Sequence, residues 1–232
     1  MKKLKTIAAA VLLTAAATTA NAQDIFDSPD LNHPYFGVRL SYELSVPTDI
    51  NYKTTDFGSV NVNGFDAGSG FNLGAVYNIP VWRNLYVEPG VTLYYNTLKI
   101  NKDYLGTIVG GNYDFTSASV RQWGLRIPIL VGYHFDFIPD LRLSFFTGPE
   151  LDLGIKSRLH LGVDRFDASA STYGDDGEFN RCDIKWRIGV GATFKDHYYA
   201  AISGAPGLCD LAKGSAAKMH KNLFDITLGY NF

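Results

Sequence analysis

Apolar and polar residues alternate through the last ten positions, LFDITLGYNF. Phe224, Ile226, Leu228, Tyr230 and Phe232 share one phase, and Asp225, Thr227, Gly229 and Asn231 share the other. The same period of two recurs in YFGVRLSYELSV (35–46), FDAGSGFNLGAVYN (65–78), LYVEPGVTLYYN (85–96), SVRQWGLRIPILVGYH (119–134), LRLSFFTGPELDLG (141–154) and DIKWRIGVGATF (183–194). It is least regular in HYYAAIS (197–203). A turn of 180° per residue predicts a strand with one greasy and one polar face, whereas a helix would mix the two sets around its circumference. Most of these segments exceed the usual strand length of about 5–6 residues and suit the roughly 9–11 needed to cross a bilayer at a tilt.

The connectors alternate as well. Residues 79–84, 135–140 and 195–196 are short, while 47–64, 97–118, 155–182 and 204–221 are long and polar. That order predicts an all-β, eight-stranded antiparallel up-and-down transmembrane β-barrel, with tight periplasmic turns at one end and long extracellular loops at the other. A soluble, lipocalin-like barrel would alternate too, but with its apolar face inward. The glycines favour apolar-out, because Gly37, Gly74, Gly124, Gly132, Gly189, Gly191 and Gly229 keep the phase of the polar residues. On a solvated surface they would weaken each strand, whereas inside a narrow barrel they leave room for large neighbours such as Arg and Glu.

Eight strands enclose a lumen only wide enough for side chains. Its expected residents are Arg39, Glu43, Glu88, Arg126, Arg142, Glu150, Asp152, Asp183, Lys185, Arg187 and Asp225, with Glu150 and Asp152 approaching Lys185 and Arg187 across consecutive strands. Buried charges persist when paired, so the expectation is a structural mixed-sign plug rather than an ion-selective pore. The last strand should pair with the first. Trp82, Phe135, Phe137, Tyr198 and Tyr35 are expected in the aromatic girdle at the turn end, and Tyr95, Trp123 and Phe65 in the one at the loop end. Pro89, Pro128 and Pro149 fall inside proposed strands, where each removes a ladder hydrogen bond, and the sequence offers no account of them.

Composition changes the picture at the amino terminus. Lys2, Lys3 and Lys5 precede an apolar run from Ile7 to Leu13, and Ala20-Asn21-Ala22 follows. This predicts a signal peptide over 1–22, cleaved after Ala22, then a periplasmic arm over 23–34 and the barrel over 35–232. Removing three lysines and no acid leaves 18 basic and 23 acidic residues, a formal charge of −5, which argues against a nucleic-acid partner. Beyond the leader no apolar run is long enough for a membrane-spanning helix. Cys182 and Cys209 fall in or beside two long loops of an exported chain, so a disulfide and two free thiols both stand open.

LYVEPGVTLYYN, LRIPILVGYHF, FFTGPELDLGI and WRIGVGATF resemble the strand motifs of small outer-membrane β-barrels, the PorT-like and OmpX-like proteins. The resemblance covers roughly residues 35–232. It implies an integral protein of a Gram-negative outer membrane, a monomer in contact with lipid and lipopolysaccharide. It also implies a C-terminal signal, Leu228, Tyr230 and Phe232, read by the barrel-assembly machinery during insertion.

The chemistry-bearing residues form no set. His33, His134, His160, His197 and His220 are scattered, no Walker loop occurs, and no Cys or His pair has zinc spacing. The stretch 165–180 is acidic, with Asp164, Asp167, Asp175, Asp176 and Glu178 in or beside it, but lacks the ligand order of an EF-hand loop. The expectation is therefore no enzyme, no cofactor and no metal, with a structural or surface-interaction role through the long loops and an unidentified loop ligand. The alternatives are an outer-membrane enzyme with a loop-borne site at His160 or His220, and a soluble periplasmic carrier of lipocalin type.

Overall fold

The alternation is realised as long antiparallel strands in a computed structural model that describes residues 33–54, 58–101, 115–138, 140–163, 166–174, 179–213 and 217–232. The strands are β1 (Tyr35–Pro47), β2 (Ile50–Thr54), β3 (Gly58–Val62), β4 (Phe65–Trp82), β5 (Leu85–Ile100), β6 (Phe115–Ile138), β7 (Leu141–Val163), β8 (Phe166–Ser171), β9 (Cys182–Phe194), β10 (Tyr198–Ala205), β11 (Ala217–Lys218) and β12 (Lys221–Asn231). Eight of them close a ring in the order β1, β4, β5, β6, β7, β9, β10, β12 and back to β1. Closure pairs Val38 with Tyr230 and Leu44 with Phe224, and the Phe232 N–H donates to the Phe36 carbonyl at 2.8 Å. Among the described residues no helix is long and apolar enough to cross a membrane.

Exposure settles which face is inside. Leu40 is 53% exposed and Ile188 48%, whereas Glu43 and Lys185 are fully buried. The ring is therefore apolar outside and charged inside, the reverse of a lipocalin. The expected signal peptide, the expected arm up to residue 32, and Asp164, Asp175, Asp176 and Glu178 in or beside the acidic stretch lie outside the described residues. So does the side chain of Phe137.

The prolines find their place in the ladders. Pro89 pairs with Ile129 of β6, yet on its other side the β4 ladder passes from Val76–Gly90 to Ile79–Val87 without pairing Pro89 or Glu88. Pro128 pairs with Glu150 of β7, while the β5–β6 ladder jumps from Pro89–Ile129 to Thr92–Arg126. Pro149 pairs with Trp186 of β9, while the β6–β7 ladder jumps from Pro128–Glu150 to Val131–Thr147. Each ring falls in a short lapse in pairing with the preceding strand; on the following side the β7–β9 ladder runs on past Pro149, whereas the ladders beside Pro89 and Pro128 lapse next to the proline pair itself. A closed barrel lacks edges, but a local lapse supplies the same relief.

The segments read as long loops carry structure. β6 and β7 run well past their predicted ends, and β8 pairs with the extension of β7. β2, β3 and β11 make a separate three-stranded sheet. These pieces enclose an apolar core over the loop end of the barrel, centred on Leu98, Val120, Tyr173, Phe179, Leu211 and Met219. Phe65, expected in a lipid-facing girdle, packs instead against this core, 5.9 Å from Phe179. Asn180 ties two of the long segments together, donating to the Asp210 carbonyl at 2.9 Å.

At the other end the turns are tight. Arg83, Lys195 and Asp196 hold the left-handed conformation, with φ of 51°, 48° and 60°. Trp82, Phe135 and Tyr198 are exposed there as expected. Tyr35 is not: it is only 6% exposed and points into the lumen, in phase with Arg39.

Candidate functional site

The lumen is filled by an aromatic layer and an ionic one, beneath the apolar core of the loop end. Nearest the turns lies an aromatic layer of Tyr86, Leu130, Phe146 and Tyr199. His134 joins it, buried and stacked on Tyr86 with ring centroids 4.2 Å apart. His134 keeps the polar phase of Arg126 and Gly132 in the alternating stretch 119–134. The lumenal glycines serve these rings more than the charges: a methyl group on Gly132 would strike Tyr86, and one on Gly189 would strike Phe146.

The middle layer is ionic. Arg126 of β6 forms a two-pronged pair with Glu43 of β1, with Nη2 donating to Oε1 at 3.0 Å and Nη1 to Oε2. Its Nε reaches Asp152 Oδ2 at 3.3 Å, and its guanidinium lies 4.1 Å above the Tyr94 ring. Arg187 donates to Glu150 and to Asp225, both at 2.6 Å. The approach expected between β7 and β9 is therefore present. Lys185 pairs with Asp183 and stands 3.7 Å from Asp152. Neutral donors complete the shell, since Asn96 gives to Glu43 at 3.0 Å and Asn72 to Asp225 at 3.1 Å. Between this layer and the aromatic one, Arg39 is stacked 4.0 Å over Tyr199 and lies 3.7 Å from Glu88. The cavity that these two layers leave has a volume of about 70 Å³.

Every residue expected in the network lines the lumen except Arg142. It pairs with Asp136 at 2.7 Å on the rim at the turn end, where Asp136 is largely exposed. Arg142 keeps the inward phase but is the second residue of β7, where Asp136 across the turn takes its guanidinium. Three buried participants were missed. Lys221 crosses to Gln122 at 3.0 Å, Tyr94 carries Arg126, and Tyr173 covers the network from the loop side. Lys221 has the phase of Asp225, but it precedes the predicted strand, so the pattern was there and the boundary hid it.

Tyr173 comes from the connection after β8. Its hydroxyl lies over Gly154, where a β-carbon would collide with it. Gly154 itself precedes a bulge: pairing passes from Gly124–Gly154 to Trp123–Lys156 and leaves Ile155 over. The extra residue reverses the faces of β7 beyond it, so Ser157 turns inward and Lys156 and Arg158 turn out.

The remaining expectations are quickly placed. Cys182 and Cys209 are free thiols, the first exposed and the second half-buried, so the bridge is not formed. The His220 ring lies 3.0 Å from the Cys209 carbonyl, and His160 sits on the outer face of β7, so the two do not share a site. Among the described residues no group of three His, Cys, Asp or Glu is placed to hold a metal ion. At the carboxyl terminus Leu228 faces outward, and Tyr230 contacts His197 and Phe232 at 5.0 Å each.

A family model described as outer membrane protein beta-barrel domain matches residues 28–213. Among solved structures, the chain is similar to Ail, the attachment invasion locus protein of Yersinia pestis, at 8% identity and a TM-score of 0.43, over 86% of this chain and 99% of that one. It is similar to Neisserial surface protein A at 12% identity and a TM-score of 0.42, over 85% and 97%. OprG from Pseudomonas aeruginosa gives 13% identity and a TM-score of 0.42, over 87% and 97%. No curated protein sequence matches the chain.

Proposed function

Since this chain belongs to the outer membrane protein beta-barrel domain family, we propose that its barrel is a sealed anchor and that the folded cap is its working part, displayed at the cell surface. One observation carries the reading: Arg126 reaches across the lumen to Glu43, between an aromatic layer on one side and the apolar cap on the other. An ion passing through would have to break a buried, multiply paired guanidinium contact, and removing one partner of such a pair costs about 3–5 kcal/mol. The cap, with its own core and its own three-stranded sheet, offers a shaped surface where unstructured loops would not. Leu228, Tyr230 and Phe232 are assigned to recognition by the assembly machinery, on the strand that closes the ring.

Two measurements test this. In planar bilayers the purified chain should give no steady conductance, and a large, stable open level would overturn the seal. Lys218, exposed on β11, can be replaced by Cys in a chain whose Cys182 and Cys209 are Ser. A membrane-impermeant maleimide should label that variant on intact cells. Labelling only after the outer membrane is permeabilised would overturn surface display.

A further inference from the structure

We propose that the outer face of β5, β6 and β7, just above the aromatic pair at the loop end, is a binding site for the phosphorylated sugar headgroup of an outer-leaflet glycolipid. The site exists because of the bulge at Ile155. Without that extra residue Lys156 and Arg158 would continue the inward phase of Glu150 and Asp152; with it they project outward. There they meet like charge. Arg158 stands directly opposite Arg121 in the β6–β7 ladder, and Lys156 stands opposite Trp123. Like charges in directly facing positions destabilise a sheet. Among the described residues none of the three has a carboxylate within salt-bridge distance, although acids pair freely with arginine elsewhere in the molecule. An anion held between Arg121 and Arg158 would turn that repulsion into two charge-assisted contacts, the geometry in which guanidinium groups take phosphate.

The surroundings specify which anion. Tyr95, Arg121, Trp123, Lys156, Arg158 and His160 line one groove of about 290 Å³. Its floor is the Tyr95–Trp123 pair, with ring centroids 4.7 Å apart, at the level where a membrane barrel carries its aromatic girdle. Below that level the surface is aliphatic, with Leu93 and Ile129 exposed. A ligand seated here has acyl chains on one side, aromatic faces suited to a sugar ring beneath it, and cations around a phosphate. A phosphorylated glycolipid meets all three conditions, whereas free phosphate uses only the last. This assignment rests on the proposed orientation, which sets that rim in the outer leaflet.

The test uses the full chain in nonionic detergent with fluorescent bisphosphorylated lipid A, the same lipid without its phosphates, and inorganic phosphate as competitor. The phosphorylated lipid should bind saturably and at least about tenfold more tightly than the dephosphorylated one. Arg121→Gln with Arg158→Gln should weaken binding by at least about tenfold. Arg158→Glu should abolish binding while the barrel resists heat at least as well on an unheated gel, because the facing pair then has opposite signs. Equal affinity for the two lipids, unchanged binding by Arg158→Glu, or displacement by inorganic phosphate would each overturn the proposal. Binding in micelles does not depend on which end faces outward, so a wrong orientation is read separately, by Lys218→Cys labelling on cells.

Discussion

Arg126 and Glu43 are 83 residues apart in the chain, and β4 and β5 stand between their strands in the ring, yet Arg126 Nη2 donates to Glu43 Oε1 at 3.0 Å. The pair is a strut across the lumen, tying non-adjacent walls. Arg126→Met would leave Glu43 and Asp152 buried with lost partners, and the expected cost is about 3–5 kcal/mol. Adding Glu43→Gln should recover part of that loss, since the stranded charge is removed. The temperature at which the compact band on an unheated gel converts to the unfolded one measures both. Equal stability of Arg126→Met and the parent would show that the strut contributes nothing.

The proline lapses predict a contrast between neighbours. Pro128→Ala restores an N–H where the β5 ladder is already open, so stability should change by less than about 1 kcal/mol. Ile127 pairs with Leu151 in a continuous stretch of the β7 ladder. Ile127→Pro would strand a carbonyl facing hydrocarbon, at a cost of several kcal/mol. Denaturant titration of refolded protein in vesicles distinguishes the two; comparable losses would contradict this account of the lapses.

The cap and the barrel should fail separately. Leu98 is fully buried in the cap core, and Leu98→Ala should cost about 2–5 kcal/mol there. The expected result is rapid protease cleavage in the long segments of a barrel whose unheated gel mobility is unchanged. Loss of the compact band would mean that cap and barrel form one cooperative unit.

Gly154 and Tyr173 form a matched contact. Gly154→Val should displace the tyrosine and raise hydrogen exchange in residues 171–174, and a second change, Tyr173→Ala, should restore the fit of the β7 backbone at the bulge. Unaltered exchange in Gly154→Val would show that the tyrosine is not held there.

At the turn end, Lys195 pays for a left-handed φ of 48° without the freedom of glycine. Lys195→Gly should therefore leave stability unchanged or raise it by about 0.5–1 kcal/mol, measured by the same denaturant titration.

The sequence alone determined which way the side chains face within each regularly alternating stretch. Period two is a property of extended backbone itself, so the greasy stripe of Leu40 and Ile188 and the charged stripe of Glu43 and Lys185 were legible before any strand was paired. The strand number and the split between tight turns and long connections followed from counting. Tyr35 could have been read the same way, from its phase with Arg39. What only the tertiary structure decided depends on meetings between distant segments. Arg126 chooses Glu43 because the ring brings opposite walls within a side chain's reach. The prolines are tolerated because lapses in neighbouring ladders coincide with them. Leu98 and Val120 become core because Ile50 of β2 and the segments that carry Tyr173, Phe179, Leu211 and Met219 pack with them at the barrel mouth. The bulge at Ile155 decides the rest: one residue unpaired by its neighbours reverses the faces of a strand, and no local pattern announces it, since each half of β7 alternates correctly on its own.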